Sequence, residues 1–147
     1  MNSVATKMVV VPDIAGPIDN VNEEGKVLAI SEMSELFNVT LRTLRFYEEK
    51  GLLNPVRRGA RRFYGARDVG RMRVILQAKK IGLTLAEIRR VIKLVESDVP
   101  RSEQLGELQT ICAGQQQILS EQKVMLDEQV AEVEDVLGAL GALMSVG

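Results

Sequence analysis

Residues 102–144 repeat apolar side chains at alternating spacings of four and three, which is the heptad pattern of a coiled coil. The stretch contains no proline, so we predict one long uninterrupted helix. A helix of that length has nothing to pack against within so short a chain. It must bury its apolar stripe on a second copy of the chain or on another protein. The seam positions predicted to carry a dimer are Leu105, Leu108, Cys112, Leu119, Leu126, Val133, Val136 and Leu140.

Three glutamines recur along the same seam, at Gln115, Gln122 and Gln129. Polar residues in a coiled-coil seam lower stability but restrict the register and the choice of partner. The alternative interpretation is a helix folded back on the N-terminal part of its own chain.

Cys112 is the single cysteine, and the sequence contains no histidine. A transition-metal site needs several such ligands, and one cysteine cannot form an intramolecular disulfide. At a seam position the residue is expected to act as a small buried hydrophobe. An intermolecular disulfide or a shared metal site is the alternative. We therefore predict no metal and no cofactor, and a reducing compartment.

Charge is distributed in blocks, although the net charge is only −1. Residues 30–93 carry 15 Lys and Arg against 6 Asp and Glu, whereas residues 1–29 carry 2 against 4 and residues 94–147 carry 2 against 10. A basic block between acidic segments is typical of a nucleic-acid-binding module with a separate appendage. The alternative is a basic face that is merely solvated.

A helix-turn-helix is predicted within this basic block. Its first helix spans Ser31–Phe37, with Ser31 as the cap and with Ile30, Met33, Leu36 and Phe37 facing inward. Thr40 caps the second helix, Leu41 and Leu44 form its inner face, and Gly51 ends it.

The second helix has the composition that a major groove requires. Arg42 and Arg45 supply guanidinium groups for base edges and phosphates, and Tyr47 adds a hydroxyl. Residues 55–64 then form two short basic strands around Gly59-Ala60, as expected of a wing on the phosphate backbone. We therefore predict that this segment binds double-stranded DNA.

Two further helices are predicted after the wing. The first runs from Ala66 to about Ile81, with Val69, Met72, Ile75 and Leu76 on its inner side. The second begins with a capping box formed by Thr84 and Glu87. Its apolar face consists of Leu85, Ile88, Val91, Ile92 and Val95.

The predicted fold class is mainly α, a winged helix-turn-helix followed by a long coiled-coil helix. Residues 1–29 are expected to form a flexible arm with at most a short strand at Val9–Val11, residues 30–95 the DNA-binding domain, 96–101 a linker, and 102–147 the dimerisation helix and tail. No apolar run approaches the length of a membrane helix, and the N-terminus lacks the pattern of a secretory signal. These features predict a cytoplasmic, nucleoid-associated protein.

The run ISEMSELFNVTLRTLRFYEEKGLLNP, followed by RRFYGARDVGRMRVI and AKKIGLTLAEIRRVI, resembles the DNA-binding domain of MerR-type transcription regulators. The resemblance implies a homodimer joined by an antiparallel coiled coil, with two heads on a near-palindromic promoter site. It also implies that the protein bends and untwists an over-long spacer so that RNA polymerase can engage both promoter elements.

The resemblance also assigns candidate DNA contacts by position. They are Thr40, Arg42, Thr43, Arg45 and Tyr47 on the recognition helix, Arg57, Arg58, Arg61, Arg62 and Tyr64 on the first wing, and Lys79, Lys80 and Thr84 on the second. For both tyrosines, packing at the junction of helix and wing is the alternative role.

Two features depart from the family pattern. The first wing is short, and Arg101, Ser102 and Glu103 stand where metal-sensing members carry a cysteine, so no effector domain is recognised. A repressor or architectural protein, and an adaptor whose long helix pairs with another protein, are the alternative functions. The sequence offers no nucleophile beside a base, no metal cluster and no phosphate loop, so we predict that the chain is not an enzyme.

Overall fold

The structure is a computed structural model, and it describes residues 9–18 and 27–147. Its elements, in chain order, are a 3₁₀ turn at Asp13–Ala15, β1 (Leu28–Ala29), α1 (Ile30–Phe37), α2 (Leu41–Glu49), β2 (Val56–Arg58), β3 (Arg61–Tyr64), α3 (Ala66–Lys80), α4 (Leu85–Val95) and α5 (Arg101–Val146). This order confirms the predicted fold class, a winged helix-turn-helix followed by a long helix.

The caps and turns of the helix-turn-helix follow the sequence signals. The Thr40 hydroxyl accepts a hydrogen bond from the backbone N–H of Thr43 at 3.0 Å, which satisfies a free donor at the start of α2. Asn38, in the turn before it, adopts the left-handed conformation with φ 52°. Gly51 follows α2 with φ 75°, so the predicted glycine stop is confirmed.

Helix α1 begins one residue earlier than predicted, and Ser31 is not its cap. Ala29 precedes the helix, and the Glu32 carboxylate accepts the Ala29 backbone N–H at 2.9 Å. Because Ala29 is also the last residue of β1, the chain passes directly from strand to helix.

The apolar faces of α1 and α2 are narrower than predicted. Met33 and Leu44 are fully buried, but Leu36 and Leu41 are exposed (56% and 39%), so their assignment to the inner face is wrong. Both exposed leucines lie beside the turn between the helices. Short helices in a small domain bury only a narrow stripe, and residues at the helix ends lie outside it.

The wing is a three-stranded antiparallel sheet of order β1-β3-β2. The predicted hairpin is confirmed: Arg57 pairs with Arg62 and Arg58 with Arg61, and Gly59 turns the chain with φ 64°. The third strand, β1, pairs Leu28 with Tyr64 and was not predicted. Two residues are too short to show an alternating pattern.

The expectation of a flexible arm is wrong for residues 12–18. Ile14, Ala15 and Ile18 are buried, and the Ile14 backbone N–H donates to the Gln77 side chain at 2.7 Å. The Arg101 guanidinium donates to the Ala15 carbonyl at 2.6 Å. Val9–Val11 is exposed and forms no strand. Residues 1–8 and 19–26 lie outside the described residues.

Helices α3 and α4 contribute the largest share of the core. On α3 the buried apolar residues are Met72, Val74, Ile75 and Ala78, while Val69 and Leu76 are only half-buried. The predicted capping box at the start of α4 is confirmed, with Glu87 N–H on the Thr84 hydroxyl at 3.2 Å and Thr84 N–H on the Glu87 carboxylate at 2.9 Å. The buried residues of α4 are Ile88, Val91, Ile92, Leu94 and Val95, and Leu85 is half-buried.

An ion-pair cluster around Glu96 joins α3 to the end of α4. Arg71 places Nε and Nη2 each 2.7 Å from the two Glu96 oxygens, and Arg67 Nη2 lies 3.0 Å from Oε1. Arg71 also donates to the Leu52 carbonyl at 3.1 Å. Burial raises the pKa of Glu96, but the hydrogen bonds from Arg71 and Arg67 outweigh it and lower that pKa to about 2.

Helix α5 is continuous from Arg101 to Val146, as predicted within a few residues. The chain divides into two units inside this helix, Met1–Leu108 and Gln109–Gly147, rather than at the 96–101 linker. The first turns of α5 belong to the first unit because Gln104 and Leu108 are buried, and Gln104 donates to the Ser97 carbonyl. Of the seam residues in this unit, Leu105 is exposed.

In the second unit the apolar seam is open to solvent. Cys112 is half-buried with a free thiol. Gln115, the next seam residue, is buried, whereas the apolar seam residues beyond it are 45–59% exposed, namely Leu119, Leu126, Val133, Val136 and Leu140. None of the described helices combines the length and the apolar character that crossing a membrane would require.

We predict that Glu96→Gln lowers the free energy of unfolding at neutral pH by on the order of 3 kcal/mol, because it leaves Arg71 buried without its counter-charge. The folded pKa of Glu96 lies below its ordinary value of 4.5. Its contribution is therefore complete above that value and is lost as the pH falls towards 2. Denaturant unfolding of both proteins across this pH range should show the difference between them shrinking.

Glu107→Gln is the matched control, because Glu107 is exposed on α5 and the substitution removes the same charge. It should change stability by less than about 0.5 kcal/mol. An equal loss in both variants, or a Glu96 difference that stays constant with pH, would contradict a structural role for the ion pair.

Candidate nucleic-acid interface

The N-terminal half of α2 carries the predicted base-reading residues on one surface. Arg42 and Arg45 are both exposed and lie three residues apart, so they project from neighbouring positions on one face. Neither guanidinium is in an ion pair within the described ranges. The hydroxyls of Thr40 and Thr43 lie 2.9 Å apart at the start of this face. The structure thus brings four predicted contacts together.

The four wing arginines divide into two pairs. Arg57 donates to Glu48 Oε1 at 2.9 Å, and Arg62 Nε lies 2.9 Å from Glu48 Oε2. Arg58 lies over the Phe63 ring, 5.8 Å from its centroid, which leaves its N–H donors open. Arg61, at the hairpin end, is exposed. Only Arg58 and Arg61 are therefore available to an anion without breaking an ion pair in this structure.

Both tyrosines pack inside the fold. Tyr47 is buried and meets Phe46 edge-to-face at 5.4 Å. Tyr64 is fully buried, and its hydroxyl is shielded from solvent with no hydrogen-bond partner. Burial raises the pKa of Tyr64, and the nearby Glu48 carboxylate raises it further. The packing role left open by the sequence fits both residues, and we omit them from the proposed interface.

The predicted second wing lies at the turn between α3 and α4. Lys79 and Lys80 are exposed in the last turn of α3, where their charges also complement the helix dipole. Gly82 turns the chain with φ 86°, and Thr84 opens α4. The Thr84 oxygen accepts a hydrogen bond from the Glu87 N–H, and the hydroxyl proton can still be donated to a phosphate.

Sequence reasoning missed two features of the basic surface. In the sequence Glu48 is indistinguishable from a solvated acidic residue, although in the structure it forms ion pairs with two wing arginines. A cavity of about 540 Å³ also lies between the end of α2 and α4, lined by Lys50, Arg71, Arg89, Arg90 and Lys93 beside Leu52 and Ile92. The basic residues of α4 could have indicated it. Among the described residues, no three His, Cys, Asp or Glu side chains form a group that could hold a metal ion.

Family models match most of the chain. One described as "MerR HTH family regulatory protein" matches residues 28–94, and one described as "MerR, DNA binding" matches residues 69–143, half of the chain. The chain is also similar to the HTH-type transcriptional activator mta of Bacillus subtilis (strain 168), with 30% identity over 110 residues that cover 74% of this chain and 39% of mta. It spans between 39% and 53% of the length of the first curated relatives it matches.

Two solved structures share the fold. One is HiNmlR, a MerR family regulator lacking the sensor domain, bound to promoter DNA, with 24% identity, a TM-score of 0.50, and coverage of 69% of this chain and 79% of that one. The other is a MerR family transcriptional regulator from Bacillus cereus, with 23% identity, a TM-score of 0.57, and coverage of 74% and 78%. At these identities the likeness establishes the fold alone. The relatives named here are regulators of transcription rather than enzymes, in agreement with the predicted class.

We predict that Tyr64→Phe raises the free energy of unfolding by about 1 kcal/mol, because it removes a buried hydroxyl that has no partner. DNA affinity should not change. Thermal unfolding and a fluorescence binding assay on one preparation would measure both quantities. A loss of DNA affinity with unchanged stability would contradict this prediction and would indicate that the Tyr64 hydroxyl contacts DNA.

Proposed function

Because the chain belongs to the MerR family of regulatory proteins, we propose that it is a sequence-specific DNA-binding regulator of transcription. The observation that carries this proposal is the exposed Arg42–Arg45 pair on a helix fixed by the Thr40 cap, beside a basic wing. This arrangement offers positive charge and hydrogen-bond donors on a helix, the element that a major groove admits. That HiNmlR is bound to promoter DNA supports the choice of ligand.

The proposed contacts follow from exposure and chemistry. Arg42 and Arg45 read base edges in the major groove, because a guanidinium can donate two parallel hydrogen bonds to guanine. Thr40 and Thr43 fix the register of α2 on the backbone. Phosphate contacts come from residues at the two wings, which are Arg58, Arg61, Lys79, Lys80 and Thr84.

We further propose that the chain is a homodimer joined through α5. The seam from Leu119 to Leu140 is exposed along its length, whereas stable folds rarely leave such a stripe in water. A second copy offers the complementary heptads, and an antiparallel pair would place one head at each end. Two heads related by a two-fold axis fit a near-palindromic site.

The proposed mechanism is distortion of a promoter spacer that is too long. Two DNA-binding domains joined in one dimer bind two half-sites together, and the DNA bends and untwists where this brings the half-sites into reach of both. RNA polymerase could then engage both promoter elements. Such a protein would act in the cytoplasm on the nucleoid. A repressor or architectural protein would use the same contacts, and the position of its site relative to the promoter distinguishes these roles.

The first test is a binding selection on sheared genomic DNA of the source organism. Recovery of an inverted repeat in a promoter spacer is expected. On that site Arg45→Ala should cost about 1–3 kcal/mol of binding free energy and relax the sequence preference at one position. Titrating the site and its single-base variants by fluorescence anisotropy would measure both effects.

Arg73→Ala is the matched control, since Arg73 is an exposed arginine on α3 that lines a cavity with Pro12 and Gly16. It removes the same charge and should leave the sequence preference intact. If Arg45→Ala weakened all sequences equally, Arg45 would be a phosphate contact and the base-reading assignment would be wrong.

For the homodimer, sedimentation of the purified chain should give twice its mass of 16.2 kDa at micromolar concentration. Leu126→Glu should shift it towards monomer, because the substitution buries a charge in the seam. Ser120→Glu, at an exposed position outside the seam, should not. A monomeric wild-type chain would contradict the homodimer and favour an adaptor that pairs its helix with another protein.

A further inference from the structure

Glu48 lies one helical turn after Arg45 and contacts both strands of the first wing. We propose that Glu48 is a positioning residue for DNA recognition. It holds the wing against the recognition helix and withholds Arg57 and Arg62 from phosphates. The inference rests on the proposed DNA-binding function and assigns the basis of its selectivity.

The Glu48 carboxylate contacts both members of one cross-strand pair of the β2–β3 hairpin. Arg57 on β2 and Arg62 on β3 are direct cross-strand partners. Glu48 Oε1 receives Arg57 at 2.9 Å, while Oε2 lies 2.9 Å from Arg62 Nε. Two like charges directly opposite one another destabilise a strand pair, and a counter-charge between the two arginines relieves that repulsion. Glu48 supplies this counter-charge from α2.

Burial makes the contact with Arg62 the firmer of the two. Glu48 Oε2 and Arg62 Nε are both shielded from solvent, although the N–H does not point along a hydrogen bond. The Arg57 side chain is 60% exposed, against 24% for Arg62. Arg62 is therefore held against α2, whereas Arg57 is restrained at the surface and would be released by a substitution that removes the Glu48 carboxylate.

This arrangement affects the selectivity for specific over non-specific DNA, because it sets how many arginine charges are available to phosphates. Affinity for DNA of any sequence grows with the number of phosphates that the protein neutralises, and so does its salt dependence. By occupying two wing arginines, Glu48 lowers that general affinity. By fixing the wing one turn from Arg45, it preserves the register in which α2 reads bases. Both effects raise the ratio of specific to non-specific binding.

The test is Glu48→Gln against Glu49→Gln. Glu49 is the next residue on α2 and is exposed, and within the described ranges it forms no ion pair with the wing, so its substitution removes the same charge. On a random-sequence duplex, the log–log salt slope of Glu48→Gln should steepen by about one to two units, reflecting one or two released arginines. Its specific-to-non-specific affinity ratio on the selected site should fall by on the order of tenfold. Glu49→Gln should show neither change.

A second pair of variants does not depend on Glu48→Gln folding. Arg57→Gln should leave the salt slope on random-sequence DNA unchanged, because its charge is already occupied. Arg61→Gln, at the exposed end of the same hairpin, should flatten the slope by about one unit.

The two proposals fail in different ways. A wild-type chain that binds DNA without salt dependence or sequence preference would overturn the proposed function. If the wild type binds as proposed, equal slopes for Glu48→Gln and Glu49→Gln would overturn the role of Glu48. Equal flattening by Arg57→Gln and Arg61→Gln would overturn it as well.

Discussion

The ion-pair cluster of Glu96 with Arg71 and Arg67 is the contact on which the geometry of the head depends. It joins α3 to the end of α4, and Arg71 extends it to the Leu52 carbonyl just beyond the recognition helix. The Arg71 guanidinium thus links three segments of the chain, because it lies on α3 and binds both the Glu96 carboxylate and the Leu52 carbonyl. Because buried charges tolerate little separation, this cluster restricts how far α2 can move relative to the core.

Glu48 repeats the same principle at the wing, where one carboxylate holds two arginines contributed by other elements. The large excess of basic residues between 30 and 93 therefore overstates the charge available to DNA. Acidic side chains of the same chain already form ion pairs with four of these residues, namely Arg57, Arg62, Arg67 and Arg71. The exposed arginines of α2 and of the hairpin end form no such ion pair with any described residue. They are therefore the arginines whose charge is available to DNA.

Local features of this fold could be predicted from sequence, whereas contacts between distant segments could not. The Thr40 and Thr84 caps, the Gly51 stop and the Gly59 turn depend on neighbours within four residues, so their residue types suffice. Strand β1 and the burial of Tyr64 depend on partners far along the chain. The same holds for the site: the Arg42–Arg45 pair follows from helical spacing, but the pairing of Glu48 with the wing requires the folded hairpin.

The N-terminal segment shows that long-range contacts extend the DNA-binding domain beyond the residues that the sequence pattern predicts. The family match begins at residue 28, yet Ile14, Ala15 and Ile18 are buried in the same unit as the helix-turn-helix. A Cβ on Gly70 would lie 3.1 Å from Ile18, so α3 is shaped to receive this segment. Through its carbonyls the segment also binds Arg101, the first residue of α5. Residues that precede the family match therefore fix the position of the first turn of α5. A substitution in this N-terminal segment should alter the packing of that turn, and a substitution of Arg101 should alter the packing of the segment.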